Sequence, residues 1–254
     1  MPPDSVDMIH TRNVDEEDAE EEEDVEVAEQ EEEDVEEEED AENEGDKVAS
    51  QYATDGNSTT VPKFNGYQLI GDSIVSRLTQ YCSPPLRAEY NQYLKSKQVG
   101  FVVHGQTSCQ LARHLHQAKF DWSQSKAAVL IGTNDALKNV PVDDAKKGIK
   151  NVLCFLATSA KQVVVMTIPP IPRDSVPERM DKIKELNAYI AEEAADKDNV
   201  AVLDIFSKFM LIDESINVDL FEKTFKSGMI DLIHPNQKGV ESIENALIEI
   251  TSKL

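Results

Sequence analysis

The chain has 254 residues and a formal charge of −24, but that charge is unevenly spread. Residues 1–50 hold 25 Asp and Glu against Arg12 and Lys47, a charge of −23, which leaves −1 for residues 51–254. A near-neutral body gives no basic footprint for nucleic acid, and no apolar run nears the ~20 residues needed to span a bilayer.

From Asp15 to Asp46 the sequence is of low complexity, and "EEEDVE" occurs at 21–26 and again at 31–36. Val25, Val27 and Val35 bury too little surface to offset chain entropy and the mutual repulsion of so many carboxylates. Residues 1–60 are therefore expected to be a disordered acidic tail, with the polar stretch "QYATDGNSTT" at 51–60 as its linker. Two readings of the tail stand. It solubilises the chain, or residues 15–46 dock a basic protein partner electrostatically. The opening "MPPDSVDMIH" lacks the basic and apolar regions of a secretory signal, so a soluble intracellular protein, cytoplasmic or nuclear, is expected.

The remainder, 61–254, reads as one domain. Five short apolar segments have the look of buried strands: "YQLI" (67–70), "VGFVV" (99–103), "AAVLI" (127–131), "QVVVMTI" (162–168) and "VAVLDI" (200–205). In "LIGDSIVSRL" (69–78) the first strand meets a helix through Gly71, which permits a tight turn, and Asp72 or Ser73, which can accept from the first free helical N–H groups. Helices are expected in "PLRAEYNQYLKS" (85–96) and "TSCQLARHLHQA" (107–118). The stretch 142–160 sets Ile149, Val152, Leu153 and Leu156 on one stripe, and 177–194 does the same with Met180, Ile183, Leu186 and Ile190. The closing stretch aligns Val240, Ile243, Leu247, Ile250 and Leu254. Alternation of this kind predicts a three-layer αβα, flavodoxin-like fold on a five-stranded parallel sheet, with ligand chemistry at the carboxyl ends of the strands.

Three polar, glycine-bearing turns fall on that edge: "GDS" after strand one, "HGQTS" after strand two and "GTND" after strand three. Near the C-terminus "DLIHPNQKG" adds Asp231 and His234, three residues apart. In this order, "IGDSIV", "HGQTSCQL", "LIGTNDA" and "DLIHPNQKG" resemble the four blocks of the SGNH/GDSL hydrolases (lipases and esterases), a likeness that covers roughly residues 65–254. "TIPPIP" after strand four and Asn187 in the helix before strand five are further echoes. The chain departs from the family's usual pattern at Ile74, where leucine is common, and at His104, where an asparagine-bearing approach is common.

The resemblance implies a serine-dependent ester hydrolase. Ser73 would be the nucleophile, His234 its base, and Asp231 the acid that fixes the imidazole. The oxyanion hole would consist of the Ser73 and Gly105 backbone N–H groups with the Asn134 amide. A small or short-chain ester is the substrate class, and neither metal nor cofactor is needed. Each residue also has an ordinary use. Ser73 can cap a helix, Gly105 and Asn134 can make turns, Asp231 can be a surface acid, and His234-Pro235-Asn236 can start a helix. His104, His114 and His116 suggest a cluster, but "ARHLHQA" reads as a helix with a half-exposed histidine face, and no metal is needed there. Cys82, Cys109 and Cys154 read as buried thiols outside any zinc or disulfide framework, with Cys109 near the pocket. The apolar residues of 207–229 suggest a modest acyl pocket.

Two other classes compete: a non-catalytic scaffold on the same fold whose tail docks a basic partner, and a flavodoxin-like cofactor binder that leaves Asp231 and His234 without a role. The last three residues, Ser252-Lys253-Leu254, match a peroxisomal address, an alternative to the cytoplasm that needs Leu254 unpacked.

Overall fold

Runs of valine, isoleucine and alanine become strands because their branched side chains fit a pleated surface covered on both faces. The computed structural model describes residues 62–82, 98–173, 176–225 and 227–254. The expected acidic tail and the expected helix over 85–96 lie outside the described residues. The strands are β1 (Lys63–Phe64), β2 (Tyr67–Gly71), β3 (Gln98–Val99), β4 (Val102–Val103), β5 (Lys126–Leu130), β6 (Gln162–Met166) and β7 (Val200–Leu203). The helices of more than one turn are α1 (Ser73–Cys82), α2 (Ser108–Gln117), α3 (Thr133–Leu137), α4 (Val142–Ser159), α5 (Pro177–Ala195) and α6 (Gln237–Thr251).

The strands β4, β2, β5, β6 and β7 pair in parallel in that spatial order. Numbered along the chain these five run 2-1-3-4-5, the flavodoxin-like arrangement. The protein is thus a mixed α/β fold with a central parallel sheet and helices on both sides. Side-chain alternation divides the core in two. Ala127 and Val129 of β5 join Leu111, Ile149, Val152, Leu153, Ile183 and Leu186 under α2, α4 and α5. Ala128 and Leu130 face the other way and join Ile74, Val75, Leu78, Val240, Ile243 and Leu247 under α1 and α6. Trp122 is buried among Phe101, Phe120 and Phe155.

Several expectations change. The second strand is broken: Gly100 takes φ +60, and β3 folds back antiparallel on β4. A short β1 pairs antiparallel with β2 through Asn65-Gly66, whose φ values of +49 and +84 make the left-handed turn that suits a hairpin. The edge strand β7 is only half-buried along Val200–Val202. Helix α6 stops at Thr251, so Leu254 does not continue its apolar stripe, and Ser252, Lys253 and Leu254 are exposed. Cys109 is exposed rather than buried, and Cys154 is half-buried. No described helix is long and apolar enough to cross a membrane.

Candidate active site

The carboxyl edge of the sheet is where a strand must hand over to a helix, so polar turn residues accumulate there for local reasons first. At the end of β2, Asp72 Oδ1 accepts from Ile74 N–H at 2.9 Å and so caps α1, which begins at Ser73. Cap and neighbouring hydroxyl are thus divided between Asp72 and Ser73. The Ser73 N–H lies in the first helical turn, where no intrahelical acceptor exists.

The C-terminal loop brings a second set of groups onto Ser73. Asp231 is fully buried, not a surface acid, and its Oδ1 accepts from Ile233 N–H (3.1 Å) and His234 N–H (3.0 Å). That compact loop sets Leu232 at φ +47, a left-handed conformation that costs a branched residue roughly 1–2 kcal/mol. Backbone bonds brace it: Asp231 N–H to the Lys223 carbonyl, Leu232 N–H to that of Glu222, and Glu222 N–H to that of His234. Asn236 then caps α6 by accepting from Gly239 N–H, so the helix-start reading of His-Pro-Asn is also correct.

His234 Nδ1 lies 2.9 and 3.0 Å from the two Asp231 oxygens. A carboxylate only accepts, so Nδ1 carries the proton, and Nε2 is left to accept from the Ser73 hydroxyl at 2.9 Å. Burial pushes the Asp231 pKa up, but hydrogen bonds and charge from His234, with the two backbone N–H groups, outweigh it and leave the carboxyl below its ordinary value. The Phe225 ring stands edge-on to the imidazole, 5.8 Å between centroids.

The remaining predicted residues sit on neighbouring turns. Gly105 follows β4 at φ +74. Asn134 lies in α3, a short helix where the sequence suggested only a turn, and one of its amide hydrogens reaches the Gln106 carbonyl at 3.2 Å. The geometry joins Ser73, His234 and Asp231 by direct bonds, and ties Asn134 to the loop that carries Gly105. His104, His114 and His116 do not form a cluster. His104 Nε2 bonds the Ser76 hydroxyl at 2.7 Å, and His114 Nδ1 meets Gln106 Oε1 at 3.1 Å. Among the described residues, no group of three or more His, Cys, Asp or Glu is placed to hold a metal ion.

Of the supporting residues, sequence reasoning singled out Asn187 and missed Gln106, Ser108 and Asp135. Gln106 Nε2 donates to the Gly71 carbonyl (2.6 Å) and the Phe101 carbonyl (3.1 Å), pinning the Gly105 loop to the Ser73 turn. Asp135 accepts from the Ser108 N–H (2.8 Å) and hydroxyl (2.7 Å), fixing Asn134 against α2. Asn187 brackets Ile168, accepting from its N–H and donating to its carbonyl. In the 207–229 segment Phe209 and Phe221 go to the core, while Leu211, Ile212, Val218 and Met229 are exposed. The sequence signal for Gln106 was its place beside Gly105. Nothing local marked Asp135 or Ser108.

Asp72 is the electrostatic cost of this arrangement. Complete burial pushes its pKa up to about 6 from 3.8, against the opposing pull of the Ile74 N–H, Thr133 and His234. The Thr133 hydroxyl favours the charged form but falls short of hydrogen-bond geometry, and both Thr133 Oγ and Asp72 Oδ2 are left without a partner. A carboxyl raised in the folded state favours folding below pH 3.8, and that contribution is lost as pH rises through about 6. Asp72→Asn keeps the capping oxygen and removes the charge. It is expected to be more stable than the parent by about 3 kcal/mol above pH 6, the gap closing towards pH 4. Urea melts across that range check it; a gap independent of pH would contradict the assignment.

Fold and site together define a protein whose architecture resembles the SGNH/GDSL hydrolases, with a Ser-His-Asp hydrogen-bonded chain at the sheet edge. Residues 49–236 match the model of the OSK domain family, and the chain belongs to that family. The family shown is thus the OSK domain, and the likeness to the SGNH/GDSL hydrolases is one of fold. The CTD of Drosophila Oskar is similar at 17% identity over 76% of this chain and 91% of that one, with a TM-score of 0.60. A GDSL-like lipase from Bacteroides thetaiotaomicron is similar at 19% identity over 81% and 97% of the two chains, TM-score 0.57. The lipolytic G-D-S-L family protein from Veillonella parvula gives 18% identity over 73% and 97%, TM-score 0.53. At such identities the likeness concerns the fold alone. No curated protein matches the chain.

Proposed function

We propose that this domain is a serine-dependent ester hydrolase acting on a small or short-chain ester. The observation that carries the reading is one unbroken hydrogen-bond chain: Ser73 hydroxyl to His234 Nε2, and His234 Nδ1–H to Asp231. Ser73 Oγ attacks the ester carbonyl carbon while its proton passes to Nε2. The tetrahedral intermediate then collapses, and the leaving alcohol takes that proton. Water, deprotonated by the same nitrogen, releases the acid and regenerates the serine. Asp231 holds the tautomer and stabilises the imidazolium. The N–H groups of Ser73 and Gly105 and the second amide hydrogen of Asn134 receive the developing oxyanion. A fluorophosphonate probe tests the reading, because only an activated serine reacts. Labelling of the full chain at Ser73, lost in His234→Ala, is the expected result; an unlabelled parent ends the proposal.

The OSK family assignment favours keeping a second reading, a non-catalytic scaffold, since that assignment is as compatible with a scaffold as with an enzyme. In it, residues 15–46 dock a basic protein partner, and the domain presents them. Binding of a lysine-rich protein such as histone is expected to fall steeply with salt and to vanish on deletion of residues 1–50. Retained binding in the truncated chain would reject the tail's role.

A further inference from the structure

Arg77 lies four residues after Ser73 on α1, so the two side chains share one face of that helix, a turn apart. Its Nη2 stands 3.8 Å from Asp231 Oδ2; Arg77 keeps 26% of its side chain exposed while that of Asp231 is 0% exposed. The two Asp231 oxygens are unequally served. Oδ1 takes the N–H groups of Ile233 and His234 as well as the ring proton, whereas Oδ2 has the ring at 3.0 Å and Arg77. The backbone thus anchors Oδ1, whereas Oδ2 meets two side chains, the imidazole and Arg77.

We propose that Arg77 is a positioning residue that holds the Asp231 carboxylate in the orientation that keeps His234 Nε2 on Ser73. The contacts then close a ring: Ser73 to His234, His234 to Asp231, Asp231 to Arg77, and back to Ser73 through one turn of α1. At 3.8 Å the Arg77–Asp231 contact is an ion pair rather than a directional hydrogen bond, so positive charge matters more here than the guanidinium fork. Arg77→Lys keeps that charge, and Arg77→Met keeps the apolar stem without it.

The test uses the full chain, with histidine nitrogen-15 labelled. In the parent, the His234 Nδ1 proton is expected as a low-field, slowly exchanging NMR resonance. It moves upfield and exchanges faster in Arg77→Met and is restored in Arg77→Lys. The second arm rests on the hydrolase reading. The kcat per fluorophosphonate-titratable site falls about tenfold or more in Arg77→Met, with KM unchanged, because an interaction completed only at the transition state is weakened. A role in folding alone would lower Tm and the labelled fraction but leave both readouts of the folded protein unmoved. An unshifted resonance and an unchanged kcat per site in Arg77→Met overturn the proposal. If the parent turns over no ester, the hydrolase reading fails while the resonance still decides the part played by Arg77.

Discussion

Ser73→Ala and His234→Ala are each expected to lower kcat/KM for a short-chain nitrophenyl ester by about 10⁴–10⁶-fold, with melting temperatures near the parent's. The size follows from the hydrogen-bond chain. Without the Ser73 hydroxyl no acyl-enzyme forms, and without Nε2 nothing takes the proton as the Oγ–carbon bond forms. The two losses should not add in the double variant, because either one disables the same step. Asn134→Ala belongs to a different class. Its amide already spends one hydrogen on the Gln106 carbonyl, and the other is a single donor among three, so a loss of about 10²–10³-fold is expected, in kcat rather than KM. Folding should survive these changes, since α1 is capped by Asp72 rather than by Ser73. Activity within a few-fold of the parent in Ser73→Ala would remove the catalytic reading and leave the scaffold.

The fold was largely legible because its strands and helices announce themselves locally. Val163, Val164 and Val165 are all buried because both faces of β6 are covered, and the stripes on α4, α5 and α6 point into the core, with Leu254 past the end of α6 left exposed. The errors have local causes as well. Asn65-Gly66 carries a hairpin signal, but the strand before it has two residues, too few for periodicity to mark, and Gly100 interrupts an apolar run that periodicity alone reads as continuous. For the site, Ser73 and Asn134 were visible as turn residues at predicted strand ends, and Asp231 and His234 through the resemblance of "DLIHPNQKG" to the last block of the hydrolases. Their supports were not. Arg77 meets Asp231, Ser108 meets Asp135, and Gln106 meets Gly71 only after the sheet has ordered its strands, and no spacing rule links residues so far apart in the chain. Cys109 misled in the opposite direction, since a cysteine on an amphipathic helix is buried more often than not, yet this one faces solvent.

The largest effect on stability is expected at Gly71. It ends β2 in register with Leu130 of β5 on one side and Val102 of β4 on the other, and its φ of +149 lies where side chains are rarely tolerated. A Cβ there would stand 2.1 Å from the Leu130 carbonyl oxygen and 2.6 Å from Val75 Cγ2. Neither neighbour has room to retreat: Leu130 is held in the middle of the sheet, and Val75 is buried on the inner face of α1. Gly71→Ala must therefore separate β2 from β5 or displace α1, and a loss above about 4 kcal/mol is expected, about 10 °C or more in Tm. Gly66→Ala separates the causes. Gly66 also has positive φ, at +84, but a Cβ there meets nothing within 4 Å, so only the dihedral cost of roughly 1–2 kcal/mol remains. Equal losses in the two variants would mean that dihedral strain, not the Leu130 carbonyl, requires glycine at position 71. The same clash reaches the chemistry, because any shift of α1 that relieves it carries Ser73 away from His234 and the Gly71 carbonyl away from Gln106. Folded Gly71→Ala protein, isolated at low temperature, should accordingly label with a fluorophosphonate far more slowly than Gly66→Ala.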